Sequence, residues 1–306
     1  MRRALLVFVA ACRPDLGDPS SLITEPRVLA IAAEPAEVVP GTDVALTALI
    51  ASPDGDVTAD VAWGLCRQPT PLSSNNAVGD DCIYGATSLP MRGLAITATV
   101  PVDACSIFGP TPPPPAPGEA PRRPHDPDVT GGFYQPIRAL ARPGAPDQLV
   151  PAIGLTRITC DLANAPLDVV RDYRARYAAN TNPVIVEVIA LASGEVSAGA
   201  LPRSLPANAE VQLVVRWTGD SAETYPVFDP RSRALVDHRE AIRASWFVSG
   251  GELGADRTGR TEDETETFAT NVWTTPAVGP AHLWVVVRDS RGGLVFDSFS
   301  IPISAP

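Results

Sequence analysis

The strongest constraint on the fold is the alternation of apolar and polar residues through the last sixty positions, Ala244 to Pro306. Three strand-like runs follow one another there, separated by glycine-rich or acidic turns. In the final run Phe299, Ile301 and Ile303 fall on one side, and Ser298, Ser300 and Pro302 on the other. A period of two residues describes a strand with one face on a core and one face in water. With 33 Pro, 23 Gly and one convincing helical stretch, the rest of the chain suits the same turn-rich, all-β construction. A length of 306 residues leaves room for two domains, each able to bury its own core.

Charge narrows the function. The chain carries 35 acidic against 24 basic residues, a net charge of −11, and every basic residue is Arg. A nucleic-acid binder needs a clustered basic surface, and the sequence shows no basic cluster. The absence of Lys beside abundant Ala, Arg and Pro matches the codon bias of a GC-rich genome and carries no functional meaning.

The first residues point outside the cytoplasm. Met1-Arg2-Arg3 is positive, Ala4 to Ala11 is apolar, and two small residues precede Cys12. This is the order of a secretory signal. The apolar run is too short to cross a bilayer as a helix, which takes about 20 residues. Val9-Ala10-Ala11-Cys12 resembles the lipobox of bacterial lipoproteins. The resemblance implies cleavage after residue 11 and acyl chains, palmitate among them, on the new N-terminal Cys12. Each buried CH₂ contributes about 0.8 kcal/mol, so several chains hold firmly where one is marginal. Arg13 stands where an aspartate would signal inner-membrane retention, so the expected location is the outer membrane, on its periplasmic or surface side. Residues 12–25 are expected to be a tether.

A first immunoglobulin-like domain is expected over 26–161. Arg27 to Ala33 reads as its opening strand, and Glu34 to Gly41 (EPAEVVPG) turns the chain into a second, Val44 to Ala51. This order resembles the entry of many bacterial immunoglobulin-like domains. Asp54-Gly55-Asp56 makes a turn, and a third strand, Val61 to Cys66, holds Trp63, a position that commonly fills the space between two sheets. Gly93 to Val100, Ile137 to Ala141 and Leu155 to Cys160 complete the expected strands. The four remaining cysteines, Cys66, Cys82, Cys105 and Cys160, all lie here, an even number that in an exported chain reads as two disulfides. Three pairings are open. Cys66–Cys82 and Cys105–Cys160 are preferred, the first stapling the loop after the Trp63 strand and the second tying the proline-rich excursion to the last strand. Zinc is disfavoured because no CxxC or Cys-x-x-His pair exists. Residues 109–127 (GPTPPPPAPGEAPRRPHDP) are too rich in proline for an interior strand and are expected to be an exposed loop.

A connector helix is expected within 162–180, beginning near Asn164 and Pro166 and placing Leu167, Val170, Tyr173 and Tyr177 on one face. Asn180 is expected to close it in the left-handed conformation. A second sandwich follows over 181–306: a strand from Pro183, the alternating Val211 to Trp217, a long loop Gly219 to Arg239, and Arg243 to Val248 around Trp246. From Trp246 onward, Gly250-Gly251, Trp273-Thr274-Thr275-Pro276 and the hairpin Leu283 to Ser300, turning at Asp289 to Gly293, resemble the polycystic-kidney-disease-type and related bacterial immunoglobulin-like domains. Ser249 replaces the usual aspartate, and Trp284 stands where a tyrosine is common. The resemblance implies a β-sandwich and leaves function open, since such folds host many roles. The fold class expected for the whole chain is therefore all-β, two immunoglobulin-like β-sandwich domains in tandem joined by a short helix.

No nucleophile elbow, zinc-protease helix, phosphate loop or dinucleotide fingerprint is present. His125, His238 and His282 are scattered; Asp237 stands next to His238 and could orient it as a base, but no nucleophile is expected nearby, and an exposed loop histidine is the preferred reading. Two acidic clusters, Asp54/Asp56/Asp60 and Glu262/Asp263/Glu264/Glu266, spread their carboxylates along turns, whereas calcium requires six to eight converging oxygens. Trp63, Trp217 and Trp246 fall in core registers, and Trp273 is the tryptophan with the weakest core assignment. No catalytic residue, cofactor or metal is expected. The expected function is a non-enzymatic cell-envelope lipoprotein, a scaffold or binding module held to the membrane through Cys12. A carbohydrate- or peptidoglycan-binding accessory, an adhesin or a surface-complex subunit is the alternative, with a protein or cell-wall glycan as partner and no nucleic acid.

Overall fold

A computed structural model describes residues 18–69, 78–85, 87–110, 117, 127–144, 149–192 and 204–304. The signal segment, Cys12 and most of the proline-rich stretch 109–127 lie outside the described residues. The chain is all-β. Its strands are β1 (Arg27–Glu34), β2 (Glu37–Val38), β3 (Asp43–Ser52), β4 (Gly55–Asp56), β5 (Asp60–Leu65), β6 (Thr87–Arg92), β7 (Ala95–Thr99), β8 (Phe133–Arg142) and β9 (Val150–Ile158), followed by β10 (Ile185–Ala192), β11 (Leu205–Pro206), β12 (Glu210–Trp217), β13 (Thr224–Asp229), β14 (Ala234–Arg239), β15 (Ile242–Val248), β16 (Glu252–Leu253), β17 (Arg257–Arg260), β18 (Phe268–Thr274), β19 (Pro280–Asp289) and β20 (Leu294–Ser304).

In the first sandwich β1, β3, β4 and β7 form one sheet, and the other runs β2-β9-β8-β5-β6. Val44, Leu46 and Ile50 meet Val61, Trp63, Ile137 and Ala139 between them. Trp63 is 1% exposed and its Nε1 donates to the Gly93 carbonyl at 2.9 Å. Disulfides join Cys66 to Cys82 and Cys105 to Cys160. The second sandwich pairs β10-β12-β18-β16 with β11-β20-β19-β15-β17. Val211, Leu213, Val215 and Trp217 close there on Ala244, Trp246, Leu283, Val285 and Val287.

Two of the strands buried on both faces, β3 and β19, meet between the sandwiches. On β3, Leu49 and Ala51 point away from the first core; on β19, Trp284 and Val286 point away from the second. These outward residues meet one another, with Ala30, Leu294 and Ile23, in a third apolar cluster between the sandwiches. Trp284 Nε1 donates across the junction to Asp56 Oδ1 at 2.6 Å, and Ser298 Oγ donates to Asp56 Oδ2 at 2.6 Å. Asn182 joins the same seam, donating to the Ala33 carbonyl at 2.8 Å and accepting from the Leu294 amide at 2.7 Å.

The segment expected to be a free tether is engaged from Ser20 to Ile23. The Ile23 amide donates to Val248 O at 2.8 Å, the Val248 amide to Ser21 O at 2.9 Å, and Ile23 is fully buried. This parallel bridge ties the N-terminal segment to β15 of the second sandwich, while Ile23 packs in the cluster between the two.

The connector helix, α1 (Leu167–Arg176) in the numbering used below, is shorter than the spacing suggested. Tyr177 is already extended, Leu167 is 83% exposed, and of the expected apolar face only Tyr173 is buried. Asn180 does not close the helix; it is buried, and its Nδ2 donates to both Asp289 carboxylate oxygens. The expected loop 219–239 contains the hairpin β13–β14, whose register runs Thr224↔Arg239 to Asp229↔Ala234. Burying a whole indole between two sheets predicts that Trp284→Ala lowers unfolding stability by about 3–5 kcal/mol. Leu167→Ala stays within about 0.5 kcal/mol, both read from urea denaturation.

Candidate functional site

The candidate site is the polar end of the junction and the groove that opens from it. Arg157 on β9 is 2% exposed and reaches Glu37 at 3.2 Å. It also donates to Thr130 Oγ1 at 2.9 Å and Tyr134 Oη at 3.0 Å. Glu37 further accepts from Tyr177 Oη at 2.5 Å and the Asn180 amide at 3.0 Å. On the other side Arg291, in the β19–β20 turn, is 1% exposed. Its Nε donates to Glu240 Oε1 at 2.6 Å, Nη2 to Glu223, and Nη1 to the Ala178 carbonyl at 3.1 Å. The guanidinium lies 4.5 Å from the Tyr225 ring centroid. Tyr134 Oη donates to Arg291 O at 3.1 Å and so ties the two halves together.

Burial governs the electrostatics here. It pushes the Tyr134 hydroxyl up to about 12 and raises Tyr177 and Tyr225 as well. Burial, then the neighbouring Asp289 charge, pushes Glu240 up to about 7 against the pull of Arg291. Two arginines withdrawn from water in this way cost desolvation that only full pairing offsets, so the network favours one arrangement of its parts.

Beside the network lies an open groove of about 700 Å³, lined by Thr130, Tyr225, His238, Arg243, Arg257 and Ser290 among others. Its floor is the outward face of β15 and β17. Arg243 on β15 is the Cα partner of Arg288 on β19 and of Gly259 on β17, and Arg257 faces Ser245. A Cβ at Gly259 would meet the Ile242 carbonyl at 2.3 Å, so this position holds glycine and leaves Arg243 uncovered. Among the described residues the side chains of Arg243, Arg257 and Arg288 make no ion pair or hydrogen bond. The Arg288 pKa is lowered, first by desolvation and then by the charge of Arg257. The sequence motifs point to His238 and Glu262 of the groove, and to Tyr177 and Asn180 of the network as helix residues, but not to the arginines of either.

The sequence candidates are dispersed. His238 faces Glu262 at 3.3 Å, while Asp237 is taken by Arg176 at 2.5 Å, so Asp237 does not orient the imidazole. Asp60 pairs with Arg92, whose guanidinium holds its carboxyl below the usual range, and Asp56 serves Trp284 and Ser298. Glu264 accepts from the Thr261 amide and hydroxyl and lies 3.5 Å from Arg260. Among the described residues no group of three or more His, Cys, Asp or Glu side chains is placed to hold a metal ion. All five tryptophans are at most 3% exposed; Trp273 is fully buried, its Nε1 donating to the Gly250 carbonyl at 3.1 Å. No indole face is open for a sugar to stack upon.

No protein-family model and no curated protein matches the chain. Among solved structures it is similar to red sea bream transglutaminase, at 12% identity and a TM-score of 0.24, covering 92% of this chain and 32% of that one. It is also similar to dimeric latent PorU from Porphyromonas gingivalis, at 12% identity and a TM-score of 0.22, covering 92% and 24%. Native alpha-2-macroglobulin of E. coli gives 9% identity, a TM-score of 0.25 and coverage of 91% and 17%. The chain spans less than two thirds of the length of each.

The raised Glu240 predicts the pH dependence of stability. A carboxyl that holds its proton more tightly folded than unfolded stabilises the fold most fully below its ordinary value of 4.5, and the contribution is lost as pH rises towards about 7. The denaturation midpoint is therefore expected to fall between pH 5 and pH 8, with roughly 1–3 kcal/mol of that change belonging to Glu240. In Glu240→Gln this part of the slope is expected to vanish.

Proposed function

We propose that the chain is a non-enzymatic cell-envelope lipoprotein, a scaffold or binding module held at the outer membrane through acyl chains on Cys12. The observation that carries the reading is the junction, where an apolar cluster and two buried arginine networks hold the two sandwiches in one orientation. A fixed body of this kind suits presentation of a surface more than opening and closing around a substrate. Two disulfides support an oxidising compartment, and among the described residues no helix is long and apolar enough to cross a membrane. The basic, apolar and small-residue order ending in Val9-Ala10-Ala11-Cys12 supports the lipid anchor.

The test is metabolic labelling with an acyl-chain analogue in cells expressing the full chain. Label is expected on the wild type, with the protein in the outer-membrane fraction. Cys12→Ala is expected to lose both. An unlabelled wild type, or label unchanged in the variant, contradicts the anchor.

A further inference from the structure

We propose that Arg243, Arg257 and Arg288 form a binding site for a phosphoryl group at the rim of the groove between the sandwiches. This deepens the binding-module reading by naming the ligand chemistry, and it rests on that reading for its purpose.

The sheet register gives the geometry. All three arginines stand on the outward face of adjacent strands β19, β15 and β17. Directly opposed side chains have Cβ atoms about 5 Å apart, and diagonal ones about 7–8 Å. Arg288 and Arg243 form a direct pair, and Arg257 lies on the diagonal from Arg243. Gly259, between them in the pattern, adds no side chain and leaves the floor clear. It is the same sheet face that Trp284 and Val286 turn towards the first sandwich, continued past the edge of the contact.

Like charges on opposed strands repel, and elsewhere this chain avoids the arrangement. On the exposed sheet surfaces Arg216 has Glu187 across the strand at 3.0 Å, and Arg92 has Asp60 at 2.5 Å. Arg243 and Arg257 in the groove, and Arg288 on the strand beside them, have no such acid within ion-pair distance among the described residues. Two carboxylates share these surfaces without pairing with the arginines: Asp128, in the pocket with Arg288, accepts from the Thr130 amide and hydroxyl, and Glu262, in the groove with Arg243 and Arg257, lies against His238. In a chain of net charge −11 three adjacent guanidinium groups without an ion-pair partner make a local concentration of positive charge. Guanidinium forks match oxyanions bidentately. A phosphoryl group offers three acceptor oxygens to three forks, whereas a carboxylate has two. Ser290, exposed in the neighbouring groove, offers a hydroxyl to whatever carries the phosphate.

The test uses the full chain and inorganic pyrophosphate, followed by calorimetry at fixed ionic strength, beside an Arg243→Ala/Arg257→Ala double variant. Saturable binding that weakens about tenfold or more in the variant is expected. Tricarballylate, a carboxylate of similar charge, is expected to bind more weakly than pyrophosphate. A second arm sediments the protein lacking residues 1–12 with phosphatidylglycerol or phosphatidylcholine vesicles. Arginine-dependent binding to the former alone assigns the phosphate to a lipid headgroup, and its absence with pyrophosphate binding retained assigns a soluble phosphate. Stability supplies the control: without ligand the double variant is expected to be as stable as wild type or more so, because repulsion is removed. No saturable pyrophosphate binding, equal binding by the variant, or a variant destabilised without ligand each overturns the proposal. Such a failure leaves acyl labelling at Cys12 untouched, and failed labelling leaves the anion site untouched.

Discussion

The structure depends on two strands that have no wet face over part of their length. β3 gives Leu46 and Ile50 to one core and Leu49 and Ala51 to the junction; β19 gives Leu283, Val285 and Val287 to one core and Trp284 and Val286 to the junction. Apolar area removed from water is favourable on either side of a sheet. The contact between the sandwiches is thus built from the strands that hold the cores, and disturbing one disturbs the other. Ile23 enters the same cluster, so residues Ser20 to Ile23, within the expected tether, are part of the folded body.

Much of this was legible in the residues. Alternation in β12, β15 and β20 marks strands with one face on a core, and Trp63 and Trp246 sit where such strands need bulk. The two-sided strands were also written in the chain, as the continuous runs Leu49-Ile50-Ala51 and Leu283 to Val287, which depart from strict alternation. Continuous apolar runs are the mark of strands covered on both faces. Trp284 makes the same point: as a variant of a family position it looked like a departure, and in the fold it fills the junction and donates to Asp56. The short helix was overextended because Tyr177 and Asn180 keep helical spacing in the sequence while their polar groups are drawn to Glu37 and Asp289.

The polar junction and the arginine groove were not legible, for a physical reason. Arg157 and Glu37 are 120 positions apart, Arg291 and Glu240 about fifty, and no local pattern announces pairs that only the sheet register brings together. Arg243, Arg257 and Arg288 each read as an ordinary wet-face residue of its own strand. Their meaning comes from adjacency and from the missing acids across the strands. The two arginine groups also illustrate opposite uses of one side chain. Arg157 and Arg291 are buried, saturated with partners and fix how the halves sit. The groove arginines have no partner among the described residues and leave their charge available.

The central claim is that the junction makes the two sandwiches one cooperative body. Native-state hydrogen exchange through increasing denaturant measures it directly, with amides of β5 and β8 reporting the first core and those of β12 and β15 the second. A shared opening free energy, and convergence of both sets on one unfolding transition, is the predicted result. Separate transitions, one set of core amides exchanging fully while the other remains protected, would contradict the account.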